Sequence, residues 1–252
     1  MITNILIRPA ARGGKYLGPD AAKSNISAKV AILDQKTRST VTEGYIDTSS
    51  KDAGPSNLMD PVSRAQPFAT DPNTIGVTLQ VDIDIPTTFI IQVTGPYSYI
   101  DQARTTETEI TVLPGVDIGQ NAYSTNALMP AYPEGLVIEI PGLCISHVSA
   151  DYNSSTISAT AKVTMMCGCK IEAAQPGWPW PPRDFTIQLV TYMSSGAVYK
   201  YELHYDTNQN MESCFTGQWN SQAAADDTVK QAWIFASEPK LGNQGSYIIY
   251  PR

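Results

Sequence analysis

Ile75-Gly76-Val77-Thr78-Leu79-Gln80-Val81-Asp82-Ile83-Asp84-Ile85 decides the fold class. Val77, Leu79, Val81, Ile83 and Ile85 fall on one side of an extended chain, and Thr78, Gln80, Asp82 and Asp84 on the other. A period of two residues is that of a half-buried strand, and Pro86 ends it. The same pattern recurs on both sides of this stretch. Ala28–Leu33 and Thr40–Ile46 alternate about Asp34-Gln35-Lys36-Thr37 and predict a hairpin. Thr88–Thr94 closes at Gly95-Pro96. Glu107–Leu113 and Leu136–Ile140 each run into a Pro-Gly pair, Pro114-Gly115 and Pro141-Gly142. The opening residues, Met1 to Arg8, read as a first strand rather than as a leader, because a basic start and a long apolar centre are missing.

The second half repeats the style. Thr156–Met166 is a long strand. Asp184–Met193 and Ala197–Tyr205 form a hairpin about Ser194-Ser195-Gly196. Cys214–Gln218, Val229–Ser237 and Ser246–Tyr250 follow, with Asn243-Gln244-Gly245 as the last turn and a helical turn over Ser221–Asp227. Short strands at regular spacing, Gly and Pro punctuation and no long helical period predict an all-β chain of two β-sandwich domains, each immunoglobulin-like and Greek-key in winding. The domains expected are residues 1–146 and 147–252. The polar stretch Asp47–Thr74 reads as one extended loop.

Composition agrees with strands. Of 252 residues 42% are hydrophobic and only 16% charged, where a soluble domain usually has about a quarter. Hydroxyl and amide side chains cover the polar faces instead. The net charge is −7, and no Lys/Arg cluster is present, so a nucleic-acid partner is not expected. No apolar run is long enough to span a bilayer, and membrane insertion is not expected. The compartment expected is the cytoplasm, or the periplasm or exterior if a leader has been removed.

Gly13-Gly14-Lys15-Tyr16-Leu17-Gly18-Pro19-Asp20, Pro141-Gly142-Leu143, Met165-Met166-Cys167-Gly168-Cys169 and the closing Phe235-Ala236-Ser237-Glu238 with Leu241-Gly242-Asn243-Gln244-Gly245 resemble uncharacterised bacterial proteins built from tandem immunoglobulin-like domains. The resemblance implies a sandwich fold and no activity, so it carries no site residues.

Two segments stand out chemically. The first is Met165-Met166-Cys167-Gly168-Cys169. On an extended strand Cys167 and Cys169 share a face, and two thiols beside Met166 suit a soft ion such as copper(I), with His147 or Cys214 as a further ligand. The competing reading is apolar packing, or a disulfide from Cys167 or Cys169 to Cys214 or Cys144, a Cys167–Cys169 bond being too strained. The second is Gly177-Trp178-Pro179-Trp180-Pro181-Pro182. Prolines hold Trp178 and Trp180 in an extended segment that would stack against a sugar or a partner's proline-rich segment if exposed, and would pack over a sandwich end if buried. Asp82 with Asp84, Asp226 with Asp227, and Asp117 are carboxylates without calcium-loop spacing. The two histidines, His147 and His204, fit no triad pattern, and neither a phosphate loop nor a zinc helix is present. The function expected is therefore a non-enzymatic binding module with a protein or carbohydrate ligand. Its alternatives are a copper-type metal-binding protein and a hydrolase with loop-borne carboxylates.

Overall fold

The computed structural model describes residues 1–18, 23–47, 75–119, 135–152, 156–173, 180–207, 211–221 and 227–250. The chain is all-β. It divides into two compact units, Met1–Pro141 and Gly142–Arg252, and the expected change of domain at 146/147 falls within a strand of the second.

In the first unit β1 (Ile2–Ala11), β4 (Val77–Asp82) and β7 (Leu136–Ile140) form one sheet, in the order β4-β1-β7. β1 runs antiparallel to β4 and parallel to β7. The other sheet is antiparallel, β3 (Thr40–Asp47), β2 (Ile26–Asp34), β5 (Thr87–Gly95) and β6 (Arg104–Val112). Alternation puts Ile5, Ile7, Leu79, Ile138 and Ile140 on the inner face of the first sheet, and Val30, Ile32, Ile91 and Val93 on that of the second, all buried. The sheets meet closely at Gly44, where a methyl group would lie 2.9 Å from Leu79 and Val77. The expected hairpin is β2–β3. Asp34 Oδ1 accepts from the amides of Lys36 and Thr37 and from the Thr37 hydroxyl, at 3.0, 2.7 and 2.8 Å. These bonds, Thr37 first, hold the Asp34 carboxyl below its ordinary range. β4 is shorter than the alternation predicted: Ile85 lies beyond it and is 70% exposed.

The second unit winds differently. β8 (Leu143–Tyr152), β9 (Thr156–Met165) and β12 (Cys214–Asn220) lie in one layer. β11 (Val198–Tyr205), β10 (Thr186–Met193), β13 (Val229–Glu238) and β14 (Asn243–Ile249) form the other. First, second and fifth strands against third, fourth, sixth and seventh is the immunoglobulin winding with the fourth strand on the GFC side. β11 changes partner along its length: Val198–Leu203 pair with β10, while His204 and Tyr205 pair with Thr216 and Phe215 of β12. The core is Leu143, Ile145, Ala161, Val163, Ile187, Leu189, Tyr201, Phe215, Ala232 and Ile234 with their neighbours.

Three local readings change. β8 was not expected. Its register slips between Ser146 and Ser149, with His147 at φ 50°, so two residues oppose one on β9. Leu143 and Ile145 face the core before this bulge, and Val148, Ala150 and Tyr152 after it. Asn243-Gln244-Gly245 begins β14 rather than forming the last turn. The turn is residues 239–242, where Gly242 at φ 73° donates its amide to the Glu238 carbonyl at 3.0 Å. Asn243 is fully buried and its Oδ1 accepts from the Gly142 amide at 3.0 Å. The expected loop over 47–74 and the helical turn over Ser221–Asp227 lie almost wholly outside the described residues.

Candidate functional site

The Met-Met-Cys-Gly-Cys segment is a turn, not a strand. β9 ends at Met165, the Gly168 amide donates to the Met165 carbonyl at 2.8 Å, and the Met165 amide donates to the Cys169 carbonyl at 3.1 Å. Gly168 takes φ 76° with open space around it, so glycine is needed there for its backbone and not for room. Thr164 then bridges to Lys170 across the turn. The expectation that Cys167 and Cys169 share a strand face is thus corrected, because the chain reverses between them. Both are half-buried against the core. Met166 is 1% exposed and its Sδ accepts from the Cys144 thiol at 3.6 Å. His147 is exposed on the β8 bulge. None of the four cysteines forms a disulfide. Among the described residues no group of three or more His, Cys, Asp or Glu side chains is placed to hold a metal ion.

Trp178 lies outside the described residues. Trp180 is 5% exposed and belongs to the core of the second unit, its carbonyl accepting from the Glu172 amide at 3.3 Å. Its ring therefore offers no stacking face. Trp219 lies across Gly217 and against Tyr201, ring centroids 5.1 Å apart. Of the carboxylates noted in the sequence, Asp226 lies outside the described residues and the others are engaged. Asp117 accepts from the Asn4 amide at 2.7 Å and from its side chain. Asp227 accepts from both hydroxyls of Ser194 and Ser195, at 2.7 and 2.6 Å, which hold its pKa down. Asp82 and Asp84 flank the Met1 ammonium at 2.8 and 3.2 Å.

The fourth tryptophan is different. Trp233 and Phe235 point away from the core, on the outer face of the β11-β10-β13-β14 layer. Their rings are nearly parallel, 19° apart with centroids at 5.8 Å. Strand register places the neighbours. Phe235 lies between Ser246 of β14 and Gln188 of β10, with Glu202 of β11 beyond Gln188. Trp233 lies between Ile248 and Val190, with Lys200 beyond. Gln231 opposes Tyr192, which opposes Val198. Phe235, Tyr192 and Val198 are 39%, 40% and 47% exposed. The result is an oblique apolar strip in which exposed Phe235, Tyr192 and Val198 flank half-buried Trp233 and buried Val190, edged by Gln188, Glu202, Lys200 and Gln231.

Those four polar side chains make no hydrogen bond or ion pair with another described residue. The outer face of the first unit's four-stranded sheet is the opposite case. There Lys29 pairs with Glu43 at 2.8 Å and Arg38 with Glu107 at 2.6 Å. Gln92 also donates to Glu107, and Thr88–Thr111 and Thr94–Thr105 bond hydroxyl to hydroxyl. These polar groups close over a small buried cluster of Ala31, Leu33 and Ile90. One face satisfies itself, and the other leaves its polar groups open around exposed aromatics.

The chain is similar in structure to several solved bacterial proteins. A DUF3823 family protein from Bacteroides ovatus aligns over 98% of this chain and 97% of its own, at 10% identity and a TM-score of 0.31. Another from Parabacteroides merdae covers 93% and 89%, at 7% identity and 0.27. A proposed carbohydrate-binding protein from Bacteroides uniformis covers 99% of each, at 13% identity and 0.26. No family model matches the chain, and no curated protein matches it in sequence. At these distances none of the neighbours assigns a role to a residue here.

Proposed function

We propose that this chain is a non-enzymatic binding module whose second sandwich receives its ligand on the outer face of β11-β10-β13-β14. The observation that carries the reading is the apolar strip in which exposed Phe235, Tyr192 and Val198 adjoin half-buried Trp233, edged by uncommitted polar side chains. A solvated sheet face usually alternates to polar residues, and contiguous exposed apolar surface marks interaction sites. Large aromatics held in water serve recognition better than stability, because they expose area that folding alone would bury. Of the carboxylates noted in the sequence, Asp117 is spent on a strand anchor and Asp227 on a turn, which supports binding over catalysis at those positions.

If the strip exists for a ligand, the fold does not need it. Trp233→Thr with Phe235→Thr keeps strand propensity and is expected to cost about 1–2 kcal/mol in urea unfolding, mostly the ring pair itself. A core Trp→Ala costs about 3–5 kcal/mol. A loss in that range for the double variant shows the face to be structural and overturns the reading.

A further inference from the structure

We infer that the ligand of this face is a neutral saccharide, stacked on Trp233 and Phe235 and hydrogen-bonded by Gln188, Gln231, Lys200 and Glu202; the inference rests on the binding reading of the same face. Four observations carry it.

The first is chemical pairing. A pyranose has an apolar C–H face and a rim of hydroxyls that both donate and accept. The strip supplies rings for the former. For the latter, Gln188 and Gln231 both donate and accept, Lys200 donates and Glu202 accepts. Adjacent strands are about 4.8 Å apart, so Gln188, one strand from Phe235, falls within the span of one sugar ring and its hydroxyls, and Glu202, two strands away, within that of a disaccharide. The second is commitment: these side chains are not engaged by other described residues, unlike their counterparts on the first unit's sheet. A ligand rich in hydroxyls would satisfy them.

The third is charge. Lys200 and Glu202 occupy the same face of β11 two residues apart, so the strip carries no net charge and selects neither an anion nor a cation. The fourth is size. Aromatic side chains offer about 150–250 Å². At the observed exposures of 39% and 40%, Phe235 and Tyr192 contribute roughly 80 Å² each, and the strip is on the order of 300 Å². A standard protein interface takes about 800 Å² from each partner. The strip matches a short oligosaccharide and falls well short of a second folded chain. The Trp233 and Phe235 rings, nearly parallel with centroids 5.8 Å apart, form one aromatic surface on β13.

The test is a glycan array of neutral hexose oligomers and acidic glycans probed with the full chain, followed by calorimetry on any neutral oligomer bound. Binding of a neutral oligomer is expected, insensitive to added salt. It should weaken at least tenfold in Trp233→Ala and in Phe235→Ala, and severalfold in Gln188→Ala, which leaves the rings in place. Binding to acidic glycans alone, or to no glycan, overturns the inference, as does neutral-glycan binding undiminished in all three variants. If the array is blank while the double threonine variant keeps its stability, the saccharide falls and the face remains a binding site for another class. If that variant loses stability in the core range, both fall together.

Discussion

Replacing Gly217 with alanine tests how the second sandwich holds Trp219. A β-carbon at 217 would lie 2.1 Å from Cζ2 and 2.4 Å from Cη2 of the Trp219 indole. Those atoms are the far end of a side chain, so the ring must swing off β12 rather than the strand break. It would then leave Tyr201, 5.1 Å away centroid to centroid, and its partial packing on the core. If roughly 100 Å² of ring area returns to water, the loss is about 2.5 kcal/mol at ~25 cal/mol/Å². The ring pair adds about 1 kcal/mol, and repacking of the freed ring recovers part of the sum. The expected cost is about 2–3 kcal/mol, read as a lower urea midpoint at unchanged slope by far-ultraviolet circular dichroism. The decisive measurement is the same substitution in a Trp219→Ala background. There the clash is gone and alanine should cost no more than about 0.5 kcal/mol, since glycine weakens a strand interior. Equal costs in the two backgrounds would refute the argument, because the penalty would then come from the β12 backbone and not from the indole.

Two further outcomes follow from burial. Desolvation pushes the Tyr152 phenol from 10.0 to about 12, so above pH 10 the unfolded chain gives up this proton first and stability falls until about pH 12. Two pH units would be worth about 2.7 kcal/mol; part exposure reduces this to roughly 1 kcal/mol. Tyr152→Phe should flatten the alkaline slope of urea stability by that amount, and identical slopes would contradict the burial argument. For the thiols, Cys214 is fully buried and its pKa is raised, first by burial and then by Asp206. Cys144 is 1% exposed, whereas Cys167 and Cys169 are partly open. Iodoacetamide on the native chain, followed by peptide mass spectrometry, should label Cys167 and Cys169 well before the other two. Equal rates would show that the turn after β9 does not order their access.

The strands most legible in sequence are those whose alternation runs clean, such as β4. β8 escaped because the bulge at His147 shifts the inward phase from odd to even positions, so that no single alternation runs through it. β14 was misplaced because Asn243-Gln244-Gly245 has the composition of a turn. A tertiary contact, the buried Asn243 amide against the Gly142 amide, draws those residues into the sheet. The site was half legible. Trp178 and Trp180 drew notice by lying close together, but Trp180 fills the core beside Phe185. Trp233 and Phe235 stood in a strand that was recognised, yet both of its phases are apolar. Hydrophobicity alone would bury the aromatics and expose Ala232, Ile234 and Ala236, and the fold does the reverse. Tyr201, Phe215 and Trp180 already occupy that interior, so small residues fit from β13 and the large rings face outward. That choice depends on partners far away in the chain.

Gly245 lies so close to Leu143 that a methyl group at 245 would sit 2.5 Å from its carbonyl oxygen. β8 and β14 are the two ends of a seven-stranded ribbon, and this contact brings the ends side by side. An open ribbon leaves two rows of amides and carbonyls on which another chain can grow. Here the margins come close at Gly245, where only a hydrogen-bearing α-carbon lets Leu143 approach. Any side chain at 245 would have to wedge the two margins apart and open more of their edge to pairing with another chain.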